Sequence, residues 1–122
     1  MPVKPSHILI IDDNEDILFM LQAMLQLKEY HVSTKDNIEN LESFITDVSP
    51  DMIVMDMLLC GADGREICKG LKANVSFSNI PVVMISAHSH MEAECLQAGA
   101  SYFLAKPFSM KDLYEIVSKV LG

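Results

Sequence analysis

Two kinds of hydrophobic pattern alternate along this chain. Short continuous apolar runs lie at 7–11, 30–34, 52–56, 82–85 and 102–105. Between them, apolar residues recur every three or four positions, near 14–28, 37–47, 64–73, 88–98 and 109–121. Continuous runs suit strands buried on both faces, and the periodic stretches suit amphipathic helices. Repeated strand–helix alternation predicts an α/β fold, a doubly wound five-stranded parallel sheet covered by helices on both sides. Residues 1–122 are expected to form a single domain, with 1–6, which hold two prolines, as a loose lead-in.

Punctuation residues support these boundaries. Asp13 or Asn14 can cap the first helix. Asn37 precedes Ile38, Leu41 and Ile45, which share a helical face. Ser49-Pro50-Asp51 marks the turn into the third strand. Gly99 stands where a helix C-terminus calls for a left-handed residue. Ser109 and Asp112 have capping-box spacing, followed by a buried stripe of Leu113, Ile116, Val117, Val120 and Leu121. In the first helix, Met20, Leu21 and Met24, flanked by Leu25, are predicted to face the sheet. Phe19 falls on the opposite side, among Gln22 and Gln26.

Composition narrows the partners. The net charge is −8, with 17 acidic against 9 basic residues, which disfavours direct nucleic-acid binding through a basic face. The apolar stretches are too short to span a bilayer. Cys60, Cys68 and Cys95 are odd in number and include no CxxC pair, which fits reduced thiols in a cytoplasmic protein.

The chemistry lies at the ends of the strands. The first run ends on Asp12 and Asp13, the third on Asp56, the fourth on Ser86 and the fifth on Lys106. In open parallel sheets, ligands bind beyond the carboxyl ends of the strands. Each residue alone has a plainer explanation: acids at a helix N-terminus, a turn, a cap, a solvated lysine. Together they place three carboxylates, a hydroxyl and an ammonium on one edge. Oxygen-only ligands favour Mg²⁺, Mn²⁺ or Ca²⁺, and Mg²⁺ is usually shared with a phosphate. Asp56 then becomes a nucleophile toward phosphorus.

These segments resemble the receiver domains of bacterial two-component response regulators. The resemblance is carried by Ile10-Ile-Asp-Asp-Asn14, Ile53-Val-Met-Asp-Met57, Ala62-Asp-Gly64, Ile80-Pro-Val-Val-Met-Ile-Ser-Ala87 and Gly99-Ala-Ser-Tyr-Phe-Leu-Ala-Lys-Pro-Phe108. It implies strand order 2-1-3-4-5 in a flavodoxin-like fold. It also implies a phosphorylation-dependent signalling switch in which Asp56 is the phosphoacceptor. Asp12, Asp13, Asp56 and the Leu58 main-chain carbonyl would hold Mg²⁺, while Ser86 and Lys106 would contact the phosphoryl group. Phe103 takes the family's aromatic switch position, and Lys106–Pro107 the position of a cis peptide. The implied donor is a histidine kinase or histidine phosphotransfer protein, meeting the first helix. The implied output is an unidentified protein target, reached through the fourth helix, fifth strand and fifth helix. The state is expected to be a monomer or a dimer formed on phosphorylation.

Several residues depart from the pattern or bear on alternatives. Cys60 replaces the usual proline four residues after the phosphoacceptor, so the loop from Leu59 to Gly64 is expected to be looser. Leu58 and His88 occupy the positions that shape water access, and an apolar Leu58 predicts a phosphoryl lifetime of minutes or longer. His88 and His90 are two apart, a poor spacing for a shared metal on a helix, and are expected to be solvated. A phosphatase using an aspartyl nucleophile would want a second Asp where Leu58 stands. A nucleotide-binding protein would want a glycine-rich loop where Asp12-Asp13-Asn14 stands. A pseudo-receiver would have lost an acid or the lysine, and all are present.

Overall fold

A computed structural model describes residues 5–59 and 61–122. Residues 1–4 of the expected lead-in and Cys60 lie outside them. Strands β1 (His7–Ile11), β2 (His31–Lys35), β3 (Met52–Asp56), β4 (Val82–Ser86) and β5 (Tyr102–Ala105) form one parallel sheet. Its order is β2-β1-β3-β4-β5, as the resemblance implied. The helices are α1 (Glu15–Leu27), α2 (Leu41–Val48), α3 (Gly64–Ala73), α4 (Glu92–Gln97) and α5 (Met110–Leu121).

Strand side chains alternate between faces, and the core divides accordingly. Ile8, Ile10, Met52, Val54, Val83 and Ile85 pack under α1 and α5, against Leu21, Leu25, Leu113 and Val117. Leu9, Ile11, Ile53, Met55, Val82 and Met84 pack on the other side, with Leu41, Ile45, Cys68, Leu71 and Cys95. Burial on both faces explains why these strands read as continuous apolar runs. Cys68 and Cys95 are buried free thiols, and burial pushes both pKa values up, so they behave as core residues.

The caps that position the site follow local chemistry. The Asn14 side chain accepts the amide hydrogens of Asp16 and Ile17, so α1 begins immediately after the strand-end acids. Ser109 and Asp112 form the expected capping box. Gly99 has a positive φ of 110°. Ser6 is tied in, since its carbonyl accepts the His31 amide hydrogen at 3.0 Å.

Some expectations are corrected. Helix α2 starts at Leu41, because Asn40 adopts a left-handed conformation (φ 52°) that breaks the run from Asn37. Ile38 is consequently outside the helix and exposed. Strand β2 is shifted one residue, pairing His7 with His31 through Ile11 with Lys35. The fourth helix is split into a 3₁₀ turn, Ser89–Met91, and a short α4. In α1, Leu18 is buried while Met20 is 39% exposed. The helix is rotated so that Leu18, Leu21, Met24 and Leu25 form its inner face, with Leu18 taking the place expected for Met20. Phe19 points outward at 75% exposure, as expected.

Candidate functional site

Strand order reverses between β1 and β3, which are hydrogen-bonded neighbours at the centre of the sheet. The crevice beyond their carboxyl ends is where an open α/β sheet binds its ligand. Asp12 follows β1, and its amide hydrogen is held by the Lys35 carbonyl at 3.1 Å. Asp56 closes β3, and the next amide, Met57 N–H, donates to the Ile85 carbonyl of β4 at 2.8 Å. The ladder thus fixes both backbones before their side chains enter the crevice.

One carboxylate oxygen from each of Asp12, Asp13 and Asp56 lies within 4.8 Å of the others. Asp12 is only 1% exposed, Asp56 is partly buried and Asp13 is exposed. Lys106, at the end of β5, reaches across with Nζ 3.3 Å from Asp56 Oδ2 and 3.8 Å from Asp12 Oδ2. The lysine is thus within ion-pair reach of two of the acids. Its own amide hydrogen donates to the Ser86 carbonyl at 2.8 Å, linking β5 to β4 at this edge.

Burial pushes the Asp12 carboxyl above its ordinary pKa. The Asn14 amide hydrogen, donating to Asp12 Oδ1 at 2.9 Å, pulls it back. The charges of Asp56 and Asp13 raise it further, and Lys106 opposes them. With all three acids ionised, one ammonium cannot neutralise the cluster. The donors are all oxygen and the residual charge is negative, so the residues fit a hard divalent cation.

The remaining predicted residues surround this cluster. Ser86 is buried, and its hydroxyl accepts the His88 amide hydrogen at 2.9 Å. The Leu58 amide nitrogen is 3.5 Å from Asp56 Oδ1, and Leu58 is 54% exposed. Phe103 is half-buried against the layer formed by α2, α3 and α4. The Lys106–Pro107 peptide is cis. Leu58–Leu59 and Ala62–Asp63 pair as a short antiparallel ladder with Gly61 at φ 83°, so the described part of this loop is a hairpin.

Two positioning features escape sequence reasoning. Gly64 opens α3 with its amide hydrogen donated to the Met57 carbonyl at 2.6 Å. A Cβ there would meet the Asp56 carbonyl oxygen at 2.7 Å, so only glycine allows α3 to start against the Asp56 backbone. The signal was an Asp-Gly pair at the start of a helix, where glycine is otherwise unremarkable. Asp63 caps α3 through the Arg65 amide and also pairs with the Arg65 guanidinium at 2.7 Å. That guanidinium holds the Asp63 carboxyl below its ordinary pKa.

Comparison with known proteins agrees with this geometry. A family model for the response regulator receiver domain matches residues 8–118. The phosphate regulon transcriptional regulatory protein PhoB of Pseudomonas aeruginosa is 31% identical over 116 residues, covering 93% of this chain and 51% of that protein. The transcriptional regulatory protein PrrA of Mycobacterium leprae is 34% identical, covering 98% of this chain and 51% of that protein. The chain therefore spans about half the length of these relatives. The response regulator protein TrrA of Thermotoga maritima, solved in complex with Mg²⁺ and BeF, superposes with a TM-score of 0.85 at 25% identity, covering 95% of this chain and 99% of that one. Among the described residues, no helix is long and apolar enough to cross a membrane.

Proposed function

The chain belongs to the response regulator receiver domain family, and from that premise we propose that Asp56 is its phosphoacceptor. Residues 1–122 act as one receiver unit in the cytoplasm. The donor is a phosphohistidine on a histidine kinase or histidine phosphotransfer protein. An Asp56 carboxylate oxygen forms the new bond to phosphorus as the phosphorus–nitrogen bond to the histidine breaks. Asp12, Asp13, Asp56 and the Leu58 carbonyl are the residues that would hold Mg²⁺, with Mn²⁺ as a substitute. When bound, the ion supplies charge neutralisation at the phosphoryl oxygens.

The chain's own groups do the rest. Lys106 already lies 3.3 Å from Asp56 and pairs with the incoming negative charge. The Ser86 hydroxyl, which accepts the His88 amide hydrogen, donates its own hydrogen to the phosphoryl group. That pull, with Lys106, biases the 87–91 segment and the Phe103 ring, and so the face formed by α4, β5 and α5. An unidentified protein reads this face. The acidic charge of the chain does not suit direct nucleic-acid contact, and the state is a monomer or a phosphorylation-dependent dimer.

The outward face of α1 is the docking surface for the donor. Phe19, Met20 and Leu27 are all exposed on it, and a helix with an apolar outer stripe suits another helical protein.

The observation that carries this reading is the Asp12–Asp13–Asp56 cluster with Lys106 reaching two of its acids. Its test is intact mass after incubation with Mg²⁺ and acetyl phosphate. The expected result is one added phosphoryl group on the wild type and none on Asp56→Asn. Equal labelling of both proteins would show that the nucleophile is another residue.

A further inference from the structure

Two imidazoles meet on the turn after β4. A spacing of two separates side chains on an α-helix, but no α-helix runs through His88 and His90. Residues 89–91 form a 3₁₀ turn, and His88 stands outside it with φ −101° and ψ 83°. This geometry brings the two ring centroids to 5.8 Å, with planes at 79°, and both side chains are exposed.

That separation matches a shared ion. A zinc–nitrogen bond of about 2.1 Å plus roughly 1.2 Å from nitrogen to ring centre puts each centroid ~3.3 Å from the metal. Two imidazoles on one ion then lie ~5.4 Å apart at the tetrahedral angle, and at most ~6.6 Å apart. The observed distance is inside this range, and rotation of two exposed side chains can turn their nitrogens inward. Imidazole donors favour Zn²⁺, Cu²⁺ and Ni²⁺, whereas carboxylates favour Mg²⁺. The two sites on this edge therefore select different cations. A second histidine pair, His7 and His31, has centroids 6.1 Å apart, but His7 Nε2 is already 2.7 Å from Ser33 Oγ. It lies at the opposite end of the sheet and serves as a control.

We propose that His88 and His90 bind one divalent transition cation of the zinc class, and that this ion restrains the turn controlling Ser86. His88 supplies the amide hydrogen held by Ser86 Oγ, and the His88 carbonyl accepts the Met91 amide hydrogen at 3.0 Å. An ion across the two rings ties the segment in this arrangement. Ser86 Oγ, which accepts the His88 amide hydrogen, is then held with the turn and cannot shift toward the phosphoryl group, and phosphorylation of Asp56 slows. This coupling rests on the role proposed above for Ser86.

The test titrates the intact protein with zinc chloride in excess Mg²⁺, which keeps the carboxylate site occupied. Binding is read from imidazole ¹⁵N shifts, and phosphorylation from acetyl phosphate is timed with and without zinc. Wild type and His31→Gln are expected to bind one zinc equally and to be phosphorylated more slowly with it. His90→Gln, a surface change, should weaken zinc by more than the roughly tenfold that loss of a supporting residue costs a metal site. Its phosphorylation in Mg²⁺ alone should match wild type and be insensitive to zinc. Equal zinc affinity in wild type and His90→Gln would overturn the proposal, as would bound zinc that leaves the phosphorylation rate unchanged. If zinc binds only when His90 is present, yet no variant is phosphorylated in Mg²⁺ alone, the histidine site stands. The phosphoacceptor reading then fails.

Discussion

Gly64 and Gly70 lie in one helix, and replacing each with alanine should move stability in opposite directions. At position 64 the new Cβ would sit 2.7 Å from the Asp56 carbonyl oxygen and 3.0 Å from both the Cα and the carbonyl oxygen of Met57. All three are backbone atoms of a segment held by ladder hydrogen bonds, including Met57 N–H to the Ile85 carbonyl. Neither partner can rotate away, so α3 must lift or the end of β3 must shift. Overpacking of this kind costs about 1–3 kcal/mol. Alanine's helix preference returns at most ~1 kcal/mol, and less at a first helical position. The net is a loss of about 1–2 kcal/mol. At position 70 nothing lies within 4 Å of the added carbon, and the residue is exposed inside the helix. There alanine should gain about 0.5–1 kcal/mol. For a chain of this length each kcal/mol moves Tm by roughly 3–5 °C. Thermal and urea unfolding followed by circular dichroism should therefore show Gly64→Ala falling by ~3–10 °C and Gly70→Ala rising by ~2–5 °C. Gly64→Ala should also be phosphorylated more slowly, since its clash displaces the Asp56 backbone. A Gly64→Ala protein as stable as wild type, or a shift of the same sign in both, would show that the approach of α3 to Asp56 is not rigid.

Three further outcomes follow from the site and its surroundings. The Asp12 carboxyl has a raised pKa in the folded state, so above 3.8 the unfolded chain releases this proton first. Its contribution to stability without metal should fall as pH rises from there through the raised value. Asp12→Asn should remove that fall and Mg²⁺ should offset it, both read from urea midpoints at a series of pH values; an unchanged pH profile in Asp12→Asn would refute the assignment. Phe19→Ala should slow phosphotransfer from the cognate kinase while leaving acetyl phosphate labelling intact and stability within about 0.5 kcal/mol, as for most surface changes. Unaltered transfer from the kinase would remove α1 as the docking face. The exposed Leu58 side chain beside Asp56 should hinder in-line water, giving a phosphoryl group that persists for minutes; radiolabel lost within seconds would contradict this.

Hydrophobic pattern alone was enough to locate the strands to within a residue, the order of elements and the acids at the strand ends. Strands β1, β3 and β4 are buried on both faces, so their apolar runs are continuous and each stops where the chain reaches polar surroundings. Asn14, Ser109 and Gly99 mark helix boundaries through local chemistry, a side chain or a backbone angle acting within a few residues. Contacts distant in sequence were not legible. The burial of Asp12, the reach of Lys106 to it across β3 and β4, and the close approach of Gly64 to Asp56 exist only once the strands pair. The rotation of α1 that buries Leu18 in place of Met20 was set by the sheet beneath it, because both rotations satisfy a 3.6-residue period. Asn40 and the 3₁₀ turn at Ser89–Met91 broke patterns that looked helical, since backbone angles at single residues leave little trace in hydrophobic spacing. That turn also brought His88 and His90 together, against what their separation in sequence suggested.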